Sequence, residues 1–140
     1  MMENIKVYVN WEDYIKLVYS LGDKIKDYLR DNKQERFPII IAPKRGGLIP
    51  STILAHYLNL DITCVDNKPK STISSQSMFL FVDDIADTGK TFERIKLFLD
   101  SPKVLYCTLH NNTTHPERQI HPDIYVEEVK NWIVYPYEQN

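Results

Sequence analysis

Three aspartates, Asp83, Asp84 and Asp87, fall within five residues directly behind the apolar run Met78 to Val82. Thr88-Gly89-Lys90-Thr91 follows, where an amphipathic segment begins. An apolar strand that ends in acids, turns through Gly89 and starts a helix makes an anion cradle. Successive backbone N–H groups point outward at the helix start and favour negative charge there. Gly89 lets the backbone approach a ligand closely, and Thr88 and Thr91 add hydroxyl donors. Two carboxylates beside such a cradle repel a bare anion. They suit a ligand that presents hydroxyls to Asp83 and Asp84, or one that brings Mg²⁺, which takes oxygen ligands and keeps several waters. Gly89-Lys90-Thr91 also looks like the end of a Walker A loop. That loop needs a glycine where Asp84 stands, so a P-loop nucleotide site is excluded. The plainer alternative is a strand–turn–helix whose acids only cap the helix, but three aspartates are more than capping requires.

Pro43-Lys44-Arg45-Gly46-Gly47-Leu48-Ile49-Pro50 places two cations and two glycines between another apolar run and another helical segment. A basic turn alone is usually a solvated one. Beside the acidic segment it reads as a second anion site at a second strand end. The tail Asn131-Trp132-Ile133-Val134-Tyr135-Pro136-Tyr137-Glu138 sets a tryptophan in a short strand, a position that suits core packing or a dimer contact.

The elements that must position these residues alternate. Ile5 to Val9 reads as a strand. Asn10 is a helix N-cap with Glu12 and Asp13 in the first turn. Tyr14, Leu17, Val18, Leu21, Ile25, Tyr28 and Leu29 recur at helical spacing. Phe37 to Ala42 is a buried strand, and a second helix starts near Pro50 with Ile53, Leu54, Tyr57 and Leu58 on its apolar side. Asp61 to Val65 is a strand and Asn67 to Ser77 a loop. Met78 to Val82 is a strand, Thr88 to Leu99 a helix, Val104 to Leu109 a strand and His110 to Pro122 a loop. Asp123 to Val126 and Trp132 to Tyr135 are short terminal strands. This is the pattern of an α/β domain with a twisted, mostly parallel sheet flanked by helices. Such sheets bind ligands outside the carboxyl ends of their strands.

The chain has 140 residues, a length for one domain over 1–140. A hydrophobic share of 43% argues against disorder. Seventeen Lys and Arg against 19 Asp and Glu, a net charge of -2, speak against a nucleic-acid partner. Its apolar runs are too short to span a bilayer. Met1-Met2-Glu3-Asn4 carries no signal-peptide features, so a cytoplasmic home is the default. Cys64 and Cys107 read as two buried, reduced thiols. His110, His115 and His121 are too loosely spaced for a metal site.

Phe79 to Thr91 resembles, position by position, the phosphoribosyl-pyrophosphate (PRPP) motif of type I phosphoribosyltransferases: four apolar residues, two acids, two variable residues, then Asp-Thr-Gly-Lys-Thr. The resemblance implies that fold, here with a reduced hood. It also implies transfer of phosphoribose from PRPP to a nucleobase, in purine salvage, with release of pyrophosphate. Asp83 and Asp84 would then face the ribose hydroxyls and Mg²⁺. Asp87, Thr88, Gly89, Lys90 and Thr91 would hold the 5′-phosphate, with Asp87 also the proton acceptor. Lys44, Arg45, Gly46 and Gly47 resemble the pyrophosphate loop, which implies a cis Lys44–Arg45 peptide and a catalytic role for Arg45. The tail is similar to that of small purine phosphoribosyltransferases. There Trp132 would stack on the base, Ile133 would touch its edge through the backbone, and Glu138 would help hold Mg²⁺. The family likeness further implies a homodimer or homotetramer.

Two departures stand out. The 6-oxopurine enzymes place a lysine after the strand corresponding to Val104 to Leu109. Here Asn112 is the nearest match, and base contact by His110 is a better expectation than metal binding. The segment Asn67 to Ser77 holds Lys68 and Lys70 but lacks a Ser-Tyr pair and is short for a closing loop. A non-catalytic PRPP-binding regulator on the same fold, or a transferase for another base, are the alternatives.

Overall fold

The computed structural model describes residues 5–33 and 37–139. Met1 to Asn4, considered above for a signal, lie outside them. β1 (Lys6–Tyr8) leads into α1 (Trp11–Asp31), where the Asn10 side chain accepts from Asp13 N and Glu12 and Asp13 occupy the first turn. β2 (Ile39–Pro43), α2 (Leu48–Leu58), β3 (Ile62–Val65), β4 (Ile73–Ser74) and β5 (Phe79–Ala86) follow. Then come α3 (Lys90–Lys96), β6 (Leu99–Asp100), β7 (Val104–Asn112), β8 (Ile124–Val129) and β9 (Trp132–Val134), and a 3-10 turn over Pro136–Glu138.

The main sheet runs β3-β2-β5-β7-β8, and every pairing in it is parallel. The order reverses between β2 and β5, and the crevice at such a switch point is where an open α/β sheet binds its ligand. Side chains alternate across each strand, so the sheet has two cores. Ile40, Leu80, Val82, Leu105, Cys107 and Leu109 pack with Tyr14, Val18, Leu21 and Ile25 of α1 and Leu54 of α2. Ile41, Phe79, Phe81 and Tyr106 pack with Phe92 and Ile95 of α3. Both faces are covered, which explains why these strands read as unbroken apolar runs.

Several boundaries differ from the sequence reading. β5 continues through both acids to Ala86, because Asp83, Ile85 and Ala86 still pair with β7. β7 runs on through Asn112 because its last residues pair with β8, so His110 belongs to a strand and not to the loop. The third helix is shorter, since Leu99 leaves it to pair with Ile73. That same pairing makes Ile73 and Ser74 a strand inside the segment read as a loop. Phe37 precedes β2 and is 80% exposed. Cys107 is buried, but Cys64 sits on the edge strand β3 and is exposed, against the expectation of two buried thiols. Among the described residues no helix is long and apolar enough to cross a membrane.

Candidate active site

A cavity of about 840 Å³ opens at the switch point. Lys44, Arg45 and Gly46 line it from the end of β2. Asp83, Asp84, Asp87, Thr88, Gly89, Lys90 and Thr91 line it from β5 and the turn beyond, and Tyr137 and Glu138 from the tail. Two segments far apart in sequence therefore meet because β2 and β5 are hydrogen-bonded neighbours.

The acidic pair is split by the strand. By alternation Asp83 shares the face of Phe79 and Phe81, and Asp84 that of Leu80 and Val82. Asp83 Oδ1 accepts from Asp84 N at 2.8 Å. Asp84 Oδ1 accepts from Ile85 N at 2.7 Å, and its Oδ2 accepts from the Tyr137 hydroxyl at 2.7 Å. A Cβ on residue 46 would fall 2.6 Å from Asp84 Oδ2, so only glycine lets the basic turn lie against this carboxylate. Burial, with Asp84's charge added, holds the Asp83 carboxyl well above its usual range. Burial also pushes the Tyr137 hydroxyl up, reinforced by the charge of Asp84, so it stays a donor.

On the basic turn the Lys44–Arg45 peptide is cis, as the sequence resemblance implied. Lys44 Nζ pairs with Asp66 Oδ1 at 3.1 Å, whereas Arg45 stands exposed at the rim. Gly47 lies outside the lining and begins α2. Across the cavity, Gly89 has a φ of 82°, a backbone that side-chain-bearing residues rarely adopt. Lys90 N reaches Thr88 Oγ1 at 3.4 Å. Asn67 closes one wall, held in place by the Arg94 guanidinium, whose Nε donates to the Asn67 carbonyl at 2.7 Å while a second nitrogen donates to its side chain.

Asp87 is exposed at the far lip. Its Oδ1 accepts from Asn112 Nδ2 at 2.9 Å and from His115 Nε2 at 2.7 Å. Asn112 Oδ1 in turn accepts from Thr114 N and Oγ1. Both ends of this amide are thus engaged within the protein. Buried Arg118 donates through NH1 to the carbonyls of Ala86 and Asp87, both at 3.0 Å. Sequence reasoning gave no role to His115, Arg118 or Tyr137. The first two sit in a connection without periodicity, so no local pattern marks them, while Tyr137 stood inside a noticed motif.

Other expected contributors lie elsewhere. Asn112, Trp132 and Ile133 do not line the cavity, and Trp132 is 62% exposed on β9. His110 is only 2% exposed, and its Nδ1 lies 2.8 Å from the Tyr135 hydroxyl. It borders a second cavity with Glu127, so the expected base contact from His110 is not made at the main one. Burial lowers its pKa against the pull of Glu127. Glu138 Oε1 accepts from Tyr135 N at 2.9 Å, closing the final turn on itself. Among the described residues no cluster of three or more His, Cys, Asp or Glu side chains is assembled for a metal.

No protein-family model matches the chain. It is 30% identical to a xanthine-guanine phosphoribosyltransferase of Desulfotalea psychrophila over an alignment of 146 positions, covering 93% of this chain and 84% of that protein. It is also 30% identical to one from Chromohalobacter salexigens, covering 93% and 82%. Among solved structures, a purine phosphoribosyltransferase from Pyrococcus horikoshii superposes with a TM-score of 0.73 at 28% identity, covering 96% of this chain and 95% of that one.

Proposed function

The chain belongs to the type I phosphoribosyltransferases, in the purine-using branch of that family, and from that premise we propose that its switch-point cavity transfers phosphoribose from PRPP to a 6-oxopurine. One observation carries this reading: a single cavity gathers Lys44, Arg45 and Gly46 with Asp83, Asp84 and the Asp87–Thr91 turn. PRPP is a sugar bearing phosphate at both ends, and the cavity offers an anion-binding turn on each side with acids between them.

The 5′-phosphate lies against Thr88, Gly89, Lys90 and Thr91, which line the cavity at the start of α3. Asp83 and Asp84 receive the ribose hydroxyls. Pyrophosphate faces Arg45, Lys44 and the Gly46 backbone, while the Gly47 amide is held by the Pro43 carbonyl at 3.0 Å. Asp83, Asp84 and Glu138 line this cavity and offer only oxygen, so they would be the residues to hold Mg²⁺ brought with PRPP, though among the described residues they are not assembled as a ready metal cluster. The charge that builds on the leaving pyrophosphate would be partly neutralised by a cation held at these acids. Bond breaking at C1′ leads the reaction, so preorganised Arg45 and Lys44 stabilise the departing anion while Asp84 and Asp83 favour the cationic sugar. Asp87 takes the proton from the base nitrogen as the new bond forms. Trp132, 62% exposed on β9, offers a flat face on which the base stacks, next in the chain to Ile133. The molecule works in the cytoplasm as a homodimer or homotetramer.

The test is to incubate the protein with PRPP, Mg²⁺ and each of hypoxanthine, guanine, xanthine, adenine and uracil, and to measure pyrophosphate. Release with a 6-oxopurine is expected. PRPP binding by calorimetry without release from any base replaces this reading with a PRPP-binding regulator.

A further inference from the structure

The carboxylate at the far lip is not a lone acid. Asp87 Oδ1 accepts two donors, Asn112 Nδ2 at 2.9 Å and His115 Nε2 at 2.7 Å. Carboxylates only accept, so His115 Nε2 carries a proton in this contact. On the other side of the imidazole, Nδ1 stands 3.6 Å from Glu117 Oε1, too far for a hydrogen bond, which leaves Asp87 as its close partner. The backbone under Asp87 is fixed independently by Arg118 NH1 on the carbonyls of Ala86 and Asp87. With Oδ1 doubly occupied, Oδ2 is the oxygen left for a ligand.

We propose that His115 is a positioning residue for phosphoribosyl transfer: it pins Asp87 Oδ1 so that Oδ2 meets the N–H of the incoming base. This rests on the reading of Asp87 as proton acceptor given above. The step balances within the site. The base nitrogen forms its bond to C1′ and its proton passes to Asp87 Oδ2. The C1′–oxygen bond breaks, with its electron pair leaving on pyrophosphate. The His115 proton stays on Nε2 throughout. Its hydrogen bond fixes the rotation of the carboxylate about χ2, which is otherwise broad for an aspartate. A base that arrives with an N–H in the plane of the cavity then finds the acceptor already oriented, and orientation of this kind is worth rate without tighter binding.

Steady-state kinetics of the full chain with PRPP, Mg²⁺ and its preferred purine test this. His115→Ala is expected to lower kcat about 10- to 100-fold, a loss of about 1.4 to 2.7 kcal/mol in the transition state, with the KM for PRPP within about twofold of the parent. His115→Gln, which keeps an amide donor able to reach Asp87, recovers most of the lost kcat, and Glu117→Gln costs no more than severalfold. A role confined to loop stability predicts instead that both His115 variants lose thermal stability and PRPP affinity together, and that result overturns the proposal. So does an unchanged kcat in His115→Ala. If the parent protein binds PRPP and releases no pyrophosphate with any base, the reading of the site as a transferase fails first, and this inference falls with it. Should His115→Ala fold poorly, the ratio of kcat between His115→Gln and His115→Asn, whose shorter amide cannot span to Asp87, decides the same question. Equal rates count against positioning and a higher rate for Gln supports it.

Discussion

Asp84 and Asp87 stand three residues apart at the end of one strand, and they are held by opposite means. Asp84 is half-buried and held on both oxygens: Ile85 N donates to one, the Tyr137 hydroxyl to the other, and the Gly46 backbone lies against it. Each of its two oxygens accepts one bond from within the protein and keeps capacity for a ligand. Asp87 is exposed, and its partners Asn112 and His115 reach it from the end of β7 and the connection beyond. One of its oxygens carries both bonds and the other is left over. The first arrangement gives a charge that stays put, as a sugar-facing group requires. The second gives a charge in a fixed orientation with one free face, as a proton acceptor requires.

Breaking the second arrangement has the larger effect. Asp87→Asn keeps Oδ1 as an acceptor for Asn112 and His115 but puts an N–H where the proton must go. It is expected to cut kcat roughly 10²- to 10⁴-fold and to leave PRPP affinity by calorimetry close to the parent's. A proportional loss of PRPP binding would make Asp87 a phosphate-site residue like its neighbours and erase the contrast. Next comes Tyr137→Phe, which removes a hydrogen bond to a charged acceptor worth about 1.5–3 kcal/mol. That loss is expected in PRPP and Mg²⁺ affinity more than in kcat, measured as a higher metal requirement for pyrophosphate release. Gly46→Ala pushes a methyl group against Asp84, an overpacking cost of about 1–3 kcal/mol. A shift of the chemical-denaturation midpoint with weaker PRPP binding is the expected pair of readings.

The smallest effect sharpens the comparison by pH. The Asp83 carboxyl, raised by burial and by Asp84, keeps its proton in the folded chain after the unfolded chain has lost its own. Stability from this group is therefore full below the ordinary carboxylate pKa and is lost as pH climbs through the raised value. Ligand-free Asp83→Asn should melt a few degrees higher near neutral pH and show a flatter stability–pH curve. Divalent-cation affinity of the parent should rise with pH over the same range and release protons to the buffer.

The same contrast explains what the sequence could and could not disclose. Asp83 to Thr91 and Lys44 to Gly47 were legible because strand, acids, glycine and helix start follow one another in the chain, and a parallel sheet places consecutive strand ends on one edge. Asp87's partners were not legible. Arg118 and His115 act across a connection with no periodicity, and His110, expected to touch the base, turned inward to Tyr135 because β7 runs further than its apolar stretch suggests. Cys64 was misjudged for a related reason: an edge strand and a central one share a composition, and only the strand order tells them apart.

The pairing of β1 with β9 joins Lys6–Tyr8 to Trp132–Val134. β1 therefore gains its strand neighbour only once β9 is in place, after all the strands of the main sheet in the chain. The five strands of the main sheet, and both turns that flank the sugar, all precede β9, the last of those strands ending at Val129. Tyr137 reaches Asp84 only after β9 has docked. A chain cut ahead of Trp132 would thus keep every strand of the main sheet and leave its acidic lip unlatched, because the Tyr137 contact to Asp84 is carried by the segment that closes β9 onto β1.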